Sequence, residues 1–274
     1  MKATKVPTRI SPAVIDAATR AAVLIAHHIV GRPQLWQDAI QHTVRALVHR
    51  LADARGLPGP VLPYCRLDEA EQLLDAIGKL SGWTIHDLGD LNQELLRLHL
   101  VTDGRTLTAV KPQGQSQRDV QGSWYTPQPL AREMTRMTLG VAMEQLGDPE
   151  DPEQVLRLRV VDPACGAGVF LIEGARFVAQ AYASRFTVDR SAPPELVALV
   201  LPMVMFECVY GMDIDPVAID LARAALWLEV EGVVPFGWLD GNVACVNPLL
   251  DPNSLPERLL DVMGEPPPLD DYAA

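Results

Sequence analysis

The stretch that decides the fold is VVDPACGAGVFLIEGA, residues Val160 to Ala175. It begins within a predicted buried strand, LRVV, places Asp162 directly after that strand, and continues with Gly166 and Gly168 at the start of a predicted helix. Glycines at such a turn let the backbone approach a ligand closely, and an acid there can pair with a cationic group. The same glycines can also serve turn geometry alone. The stretch therefore predicts a strand-loop-helix unit and a candidate ligand site.

The sequence on either side of this unit predicts a parallel α/β sheet, because strand and helix patterns alternate along it. The predicted elements are a helix at Pro129–Leu146, a helix at Val169–Phe186, a strand at CVYGMD (208–213), a helix at Pro216–Val230 and a short strand at Phe236–Asp240. A sheet of this kind without a further strand beside LRVV would leave LRVV with an unpaired edge, which invites pairing with another strand.

The N-terminal part has a different pattern. Apolar residues at helical spacing predict four helices, at residues 13–30, 35–54, 68–80 and 87–100. The segment KPQGQSQRDVQ, Lys111 to Gln121, lacks an apolar period and predicts an exposed connector. We therefore expect a mainly helical N-terminal domain at residues 1–118, a second domain at 119–263, and a disordered proline-rich tail at 264–274.

Composition limits the function classes. With 35 acidic and 23 basic residues the net charge is -12, which opposes attraction to nucleic-acid phosphates, so the chain alone should bind DNA poorly. The four cysteines are scattered, which predicts neither a metal site nor a disulfide framework; they are Cys65, Cys165, Cys208 and Cys245. The longest apolar run, Leu196 to Phe206, is too short for a membrane helix. We expect a soluble cytoplasmic protein without a metal.

The full string DPACGAG followed by Phe170-Leu171 resembles motif I of the adenine-N6 DNA methyltransferases, which is usually DPACGSG followed by FL. The resemblance implies that Asp162 holds the methionine amino group of S-adenosylmethionine, in a loop that includes Ala164, Gly166 and Gly168. Ala167 replaces the usual Ser or Thr, so one hydroxyl contact is missing.

Further segments match the same family in the correct order. GSWYTP, Gly122 to Pro127, resembles the GxYYTP element that lies against the methionine end of the cofactor, which implies contacts from Tyr125 and Thr126. The alternative interpretation is that this segment is only a loop that caps the next helix. The order of the matches, more than any single one, supports common ancestry.

The segment GMDIDPVAIDLARAALWL, residues 211–228, resembles the second cofactor motif of the family. It implies that Asp213 accepts the ribose hydroxyls and that Ile214 lies beside it, whereas Asp215 before a proline is better explained as a helix N-cap. Asp213 lies 45 residues beyond Gly168, where a dinucleotide fingerprint expects an acid at roughly 20. This spacing argues against a nicotinamide enzyme.

The segment LDGN, Leu239 to Asn242, falls where the family carries a polar residue that reads the adenine ring of the cofactor. Asp240 and Asn242 are both candidates, and a plain turn is the alternative because Asp-Gly is a strong turn signal. Residues 44–58 and 88–96 resemble helices of type IIG restriction-modification and BREX phage-defence methyltransferases. We interpret both as core helices and not as catalytic parts.

The 274 residues contain no Asn/Asp-Pro-Pro-Tyr/Phe string, the loop with which the family holds the flipped adenine; NPLL at Asn247–Leu250 lacks the second proline and the aromatic residue. No catalytic residue is predicted. The resemblance implies a partial Rossmann-like fold and the S-adenosylmethionine-binding portion of a site-specific DNA adenine-N6 methyltransferase of a restriction-modification or phage-defence system. A second chain would supply catalysis and DNA recognition. The alternatives are a non-catalytic S-adenosylmethionine-binding regulatory protein or a gene remnant and, less favoured, a small-molecule or protein methyltransferase.

Overall fold

The computed structural model of the protein describes residues 10–31, 34–60, 62–114, 116, 125–146, 151–247 and 255–263. The chain divides into two compact units, Met1–Tyr125 and Thr126–Ala274. The tail predicted to be disordered, residues 264–274, lies outside the described residues. Within those residues, no helix is both long and apolar enough to cross a membrane.

Among its described residues, the N-terminal unit contains four helices and a β-hairpin. They are α1 (Pro12–His28), α2 (Leu35–Ala54), α3 (Asp68–Asp75), α4 (Ile85–Leu95), β1 (His99–Thr102) and β2 (Leu107–Val110). Local signals explain the helix starts: Ser11 accepts a hydrogen bond from the Val14 amide, and Thr84 and Asp87 form a reciprocal capping box. The apolar faces of α1, α2 and α4 pack together and form the core of this unit.

The prediction of a helix over residues 87–100 is wrong at its C-terminal end, because α4 stops at Leu95 and the chain enters the hairpin. The hairpin turn is built by Asp103, whose side chain accepts hydrogen bonds from the amides of Arg105 and Thr106, and by Gly104 at φ +88. An Asp-Gly pair between two β-branched runs is a hairpin signal, and it outweighed the helical period here.

In the part of the C-terminal unit that the structure describes, the core is a three-stranded parallel sheet. The helices are α5 (Gln128–Glu144), α6 (Pro152–Val155), α7 (Val169–Ala183), α8 (Pro194–Cys208), α9 (Pro216–Glu229) and α10 (Glu257–Met263), and the strands are β3 (Val160–Asp162), β4 (Val209–Asp213) and β5 (Val243–Cys245). The strand order is β3-β4-β5, so β4 is the central strand. The two predicted strands at LRVV and CVYGMD are therefore present and are adjacent.

Both faces of the central strand are covered by helices, as a parallel sheet requires. On one face Tyr210 and Met212 pack with Leu255 and Leu259 around α10. On the other face Gly211 lies so close to α7 that a side chain there would meet Leu171. The architecture is thus α/β, with the longest strand in the middle of the core.

The third strand does not lie where the sequence predicted it. Phe236–Leu239 forms a 3-10 helix instead, and the strand follows at Val243–Cys245. Pro235 starts the turn, the Phe236 ring packs edge-on against Trp227 at 5.7 Å, and the Trp227 indole N–H donates to the Val234 carbonyl. The apolar residues of this segment are therefore used to cap α9 and not to form a sheet edge.

Candidate functional site

The carboxyl ends of β3 and β4 bring together the two acids that the sequence singled out. Asp162 ends β3 and Asp213 ends β4, and the register pairs Asp162 with Gly211 and Asp213 with Cys245. In open parallel sheets, ligands bind outside this edge. We call the surface formed by Asp162, the loop 163–168, Asp213 and Ile214 the carboxyl-edge site.

Asp213 holds the loop 163–168, which contains Gly166 and Gly168 and which we call the glycine loop. One of its carboxylate oxygens accepts a hydrogen bond from the Gly166 amide at 2.9 Å, and the other accepts one from the Asp215 amide at 2.9 Å. The Cys165 amide donates to the Met212 carbonyl at 2.8 Å, which joins the same loop to the central strand. The loop is thus held from β4 and not only from its own strand.

Gly168 shows why this loop needs glycine. It is the N-cap of α7 with φ +82, a left-handed conformation that side chains disfavour. A Cβ atom there would lie 3.2 Å from the Cα and Cβ atoms of Ala222 on α9. The two helices therefore approach closely at the loop, with no room for a side chain at Gly168.

Asp162 is the most electrostatically perturbed acid of the site. Burial raises the pKa of its carboxyl above the ordinary value, the nearby Asp213 charge raises it further, and a 3.1 Å hydrogen bond from the Ala164 amide acts in the opposite direction. A cationic partner would stabilise the charged form of this carboxylate. In the same loop, burial raises the pKa of the Cys165 thiol well above its usual value, so this cysteine is a neutral core residue and not a nucleophile.

Ile214 adds an apolar surface to the edge. It follows Asp213 directly and is 58% exposed. An aromatic ring placed beside Asp213 would cover it. Among the described residues, no His, Cys, Asp or Glu side chains form a cluster of the kind that holds a metal ion.

The structure does not bring Asp240 and Asn242 to the carboxyl-edge site. Both precede β5, and Asn242 lies three residues before Cys245, about 10 Å away at roughly 3.3 Å per residue. The Asn242 side chain is fully buried and donates to the carbonyls of Phe206 and Val209 at 2.8 and 2.9 Å. Asp240 instead forms an ion pair with Arg223 at 3.3 Å. The placement follows from the misassigned third strand.

The polar residue that follows the carboxyl end of β5 is Asn247, two residues after Cys245. The Val246 amide donates to the Asp213 carbonyl at 2.9 Å, so the chain is still paired with β4 one residue before Asn247. Sequence reasoning considered this asparagine only as part of a catalytic string. The signal that could have found it is the apolar run VACV, which is a better buried strand than FGWLD. The remainder of that string, residues 248–250, lies outside the described residues.

The N-terminal side of the candidate set is only partly described. Gly122 to Trp124 lie outside the described residues, Tyr125 is half-buried at the end of the N-terminal unit, and Thr126 is half-buried at the start of the C-terminal unit. Thr126 leads through Pro127, the N-cap, directly into α5. The alternative that this segment caps a helix is therefore compatible with the backbone.

Comparison with known families agrees with the position of this site. The model of the family described as N-6 DNA Methylase matches residues 111–230, a range that contains Asp162, the glycine loop and Asp213. No curated protein and no solved structure is significantly similar to the chain. Residues 111–230 are therefore similar to the N-6 DNA methylase family.

Proposed function

We propose that the C-terminal unit binds S-adenosylmethionine and is the cofactor-binding part of a DNA adenine-N6 methyltransferase with a Rossmann-like sheet. The observation that carries the proposal is the placement of Asp162 and Asp213 on one sheet edge, on either side of a loop with two left-handed glycines. This edge lies within the segment that matches the methylase family. The bound cofactor would supply the methyl group.

Each residue of the carboxyl-edge site fits one portion of this cofactor. Asp162, a half-buried carboxylate with a raised pKa, suits the methionine ammonium group. Asp213 uses two of its roughly four acceptor positions for backbone amides, which leaves the others for the ribose hydroxyls. Ile214 can cover the adenine ring, and we propose Asn247 for its polar edge in place of Asp240 and Asn242.

The 274 residues contain no Asn-Pro-Pro-aromatic string, the clamp with which the family holds a flipped adenine. We propose that a second chain supplies it together with DNA recognition, in a restriction-modification or phage-defence setting. Charge supports a basic partner: residues 126–274 hold 23 of the 35 acidic but only 9 of the 23 basic residues. The alternative is a cofactor-binding regulatory protein, which the missing clamp also permits.

The first experiment measures S-adenosylhomocysteine binding by calorimetry as a function of pH. The wild-type protein is expected to bind, and its affinity should fall as the pH is lowered through the raised pKa of Asp162, because the protonated carboxyl cannot pair with the ammonium group. The decline should begin at a higher pH than the ordinary aspartate pKa of about 3.9 would produce. Circular dichroism at each pH reports whether the protein stays folded.

Asp162→Asn is the control for this experiment. The variant should bind more weakly than the wild type at neutral pH and should lose the pH dependence, because the asparagine does not titrate. If Asp162→Asn kept the wild-type affinity and pH profile, the ammonium assignment would be wrong. A wild-type protein that binds no S-adenosylhomocysteine at any pH would overturn the proposed function.

The second prediction concerns the open edge of the sheet. Among the strands that the structure describes, β3 pairs with β4 alone, so amides on its other side lack a strand partner. We expect the amides of residues 160–162 to exchange faster than those of the central strand in dilute protein. At micromolar concentration they should become protected, through self-association or on addition of the chain that supplies the remaining strands.

Hydrogen exchange combined with light scattering measures this directly. Methyl transfer to DNA should appear only in the presence of that second chain. The partner proposal fails if a monodisperse monomer already protects residues 160–162 as strongly as 209–213, since the edge would then be covered within the chain. It also fails if the chain alone transfers labelled methyl groups to mixed-sequence DNA.

A further inference from the structure

A buried carboxylate on α7 connects the helices that lead away from the carboxyl-edge site. Glu173 is only 4% exposed, although it is charged and stands in an otherwise apolar helix face. It accepts hydrogen bonds from Gln128 at 2.8 Å, from Arg132 at 3.0 Å and from Arg176 at 2.8 Å. A buried acid is costly unless it is paired in this way, so the pairing fixes its neighbours.

The first two of these partners belong to α5. Gln128 is the first residue of α5 and Arg132 lies one turn later, so one carboxylate holds the start of that helix against α7. Glu173 stands five residues beyond Gly168, about 7.5 Å along the helix at 1.5 Å per residue. Thr126, two residues before Gln128, therefore leads into the helix start that Glu173 holds against α7.

The third partner extends the connection to α9. Arg176 also donates to Glu229 at 2.8 Å, and Glu229 is the last residue of the helix that follows Asp213. Burial alone would raise the pKa of Glu173. The hydrogen bonds from Arg132 and Gln128, with the charges of Arg176 and Arg132, outweigh burial and lower the pKa, so the carboxylate is charged at neutral pH. The segments carrying Thr126, the glycine loop and Asp213 thus all lead into helices joined by one charged network.

The network favours one end of the site. Helix α5 packs against α7, which follows β3, whereas β5 contacts α9. The start of α5 is thus held by the helix that follows β3, the strand that ends at Asp162, where the proposed function places the methionine portion of the cofactor. The adenosine portion would lie further along, beside Asp213 and Ile214.

We propose that Glu173 is a positioning residue of the cofactor site: by fixing α5 to α7 it sets the distance between Thr126 and the glycine loop, and so strengthens binding of the methionine portion. This inference rests on the proposed function. Glu173 itself touches no ligand. It acts through Gln128 and Arg132, and its loss should weaken binding of the methionine portion of the cofactor only.

The test compares two ligands with one set of variants. S-adenosylhomocysteine carries the amino-acid portion, and 5′-methylthioadenosine lacks it. Glu173→Gln should weaken S-adenosylhomocysteine binding by about tenfold or more, the range expected for losing charge-assisted hydrogen bonds, and should change 5′-methylthioadenosine binding by less than about threefold. A general loss of structure would weaken both ligands by the same factor.

Two further variants make the test decisive. Arg132→Gln removes one partner whose side chain is 63% exposed, so it should fold even if Glu173→Gln does not, and it should shift the ligand preference in the same direction. Glu133→Gln is the matched control, because Glu133 pairs with Arg136 on the exposed side of α5 and should leave both affinities unchanged.

Equal effects on the two ligands, or none with either variant, would overturn the positioning role while leaving the proposed function intact. If the wild-type protein bound neither ligand, the proposed function would fail and this inference with it.

Discussion

Asp213→Ala is expected to raise the dissociation constant for S-adenosylhomocysteine by about a hundredfold or more. A lost charged acceptor costs about 1.5 to 3 kcal/mol, which corresponds to roughly ten- to a hundredfold in affinity. The structure adds a second contribution, because the same carboxylate holds the Gly166 amide at 2.9 Å and the Asp215 amide at 2.9 Å. The variant therefore loses both the proposed ribose contact and the shape of the loop.

Calorimetry on the wild type and three variants separates these contributions. Asp213→Asn keeps one acceptor oxygen and should fall between wild type and Asp213→Ala. Asp189→Ala is the control, since Asp189 also accepts a backbone hydrogen bond, from Ser191 at 3.1 Å, but lies in an exposed loop outside the site. Equal affinity in Asp213→Ala and wild type would exclude Asp213 from the site.

The positions of Asp162 and Asp213 could be predicted because each directly follows a buried apolar strand. The carboxyl ends of neighbouring parallel strands share one edge, so two such acids must lie near one another. The third strand was harder to locate, because FGWLD and VACV are both short and apolar. VACV is the better buried strand, and the turn that starts at Pro235, with Phe236 packed against Trp227, makes FGWLD a 3-10 helix. Asp240 and Asn242 were misplaced for that reason.

Glu173 shows a different limit of sequence reasoning. A single acid within VFLIEGARFV is visible in the sequence, and Arg176 three residues later is a natural partner on a helix. The partners on α5, however, are 41 and 45 residues distant, and nothing in a single sequence pairs them with Glu173. Local signals predicted the helices, whereas the contacts that align them depend on tertiary packing.

Gly211→Ala is expected to lower the free energy of unfolding of the C-terminal unit by about 2 to 3 kcal/mol, at the upper end of the cost of overpacking a core. Gly211 is buried in the central strand, and a Cβ atom there would lie 2.6 Å from Leu171 Cδ1 and 3.2 Å from Cys165 Sγ. Leu171 is fully buried, so its side chain cannot move away without displacing others. Helix α7 would have to lift from the sheet.

Such a displacement should also reach the carboxyl-edge site, because Cys165 lies in the loop that leads into α7 and its amide is bonded to Met212. Gly211→Ala should therefore weaken S-adenosylhomocysteine binding as well as stability, as measured by urea unfolding and calorimetry. Gly140→Ala is the matched control: it lies inside α5 with nothing within 4 Å of a new Cβ, and should stabilise the protein by about 0.5 to 1 kcal/mol. If Gly211→Ala were as stable as wild type, α7 could not pack as closely on the central strand as the structure places it. The position of the glycine loop relative to β4 would then be wrong as well.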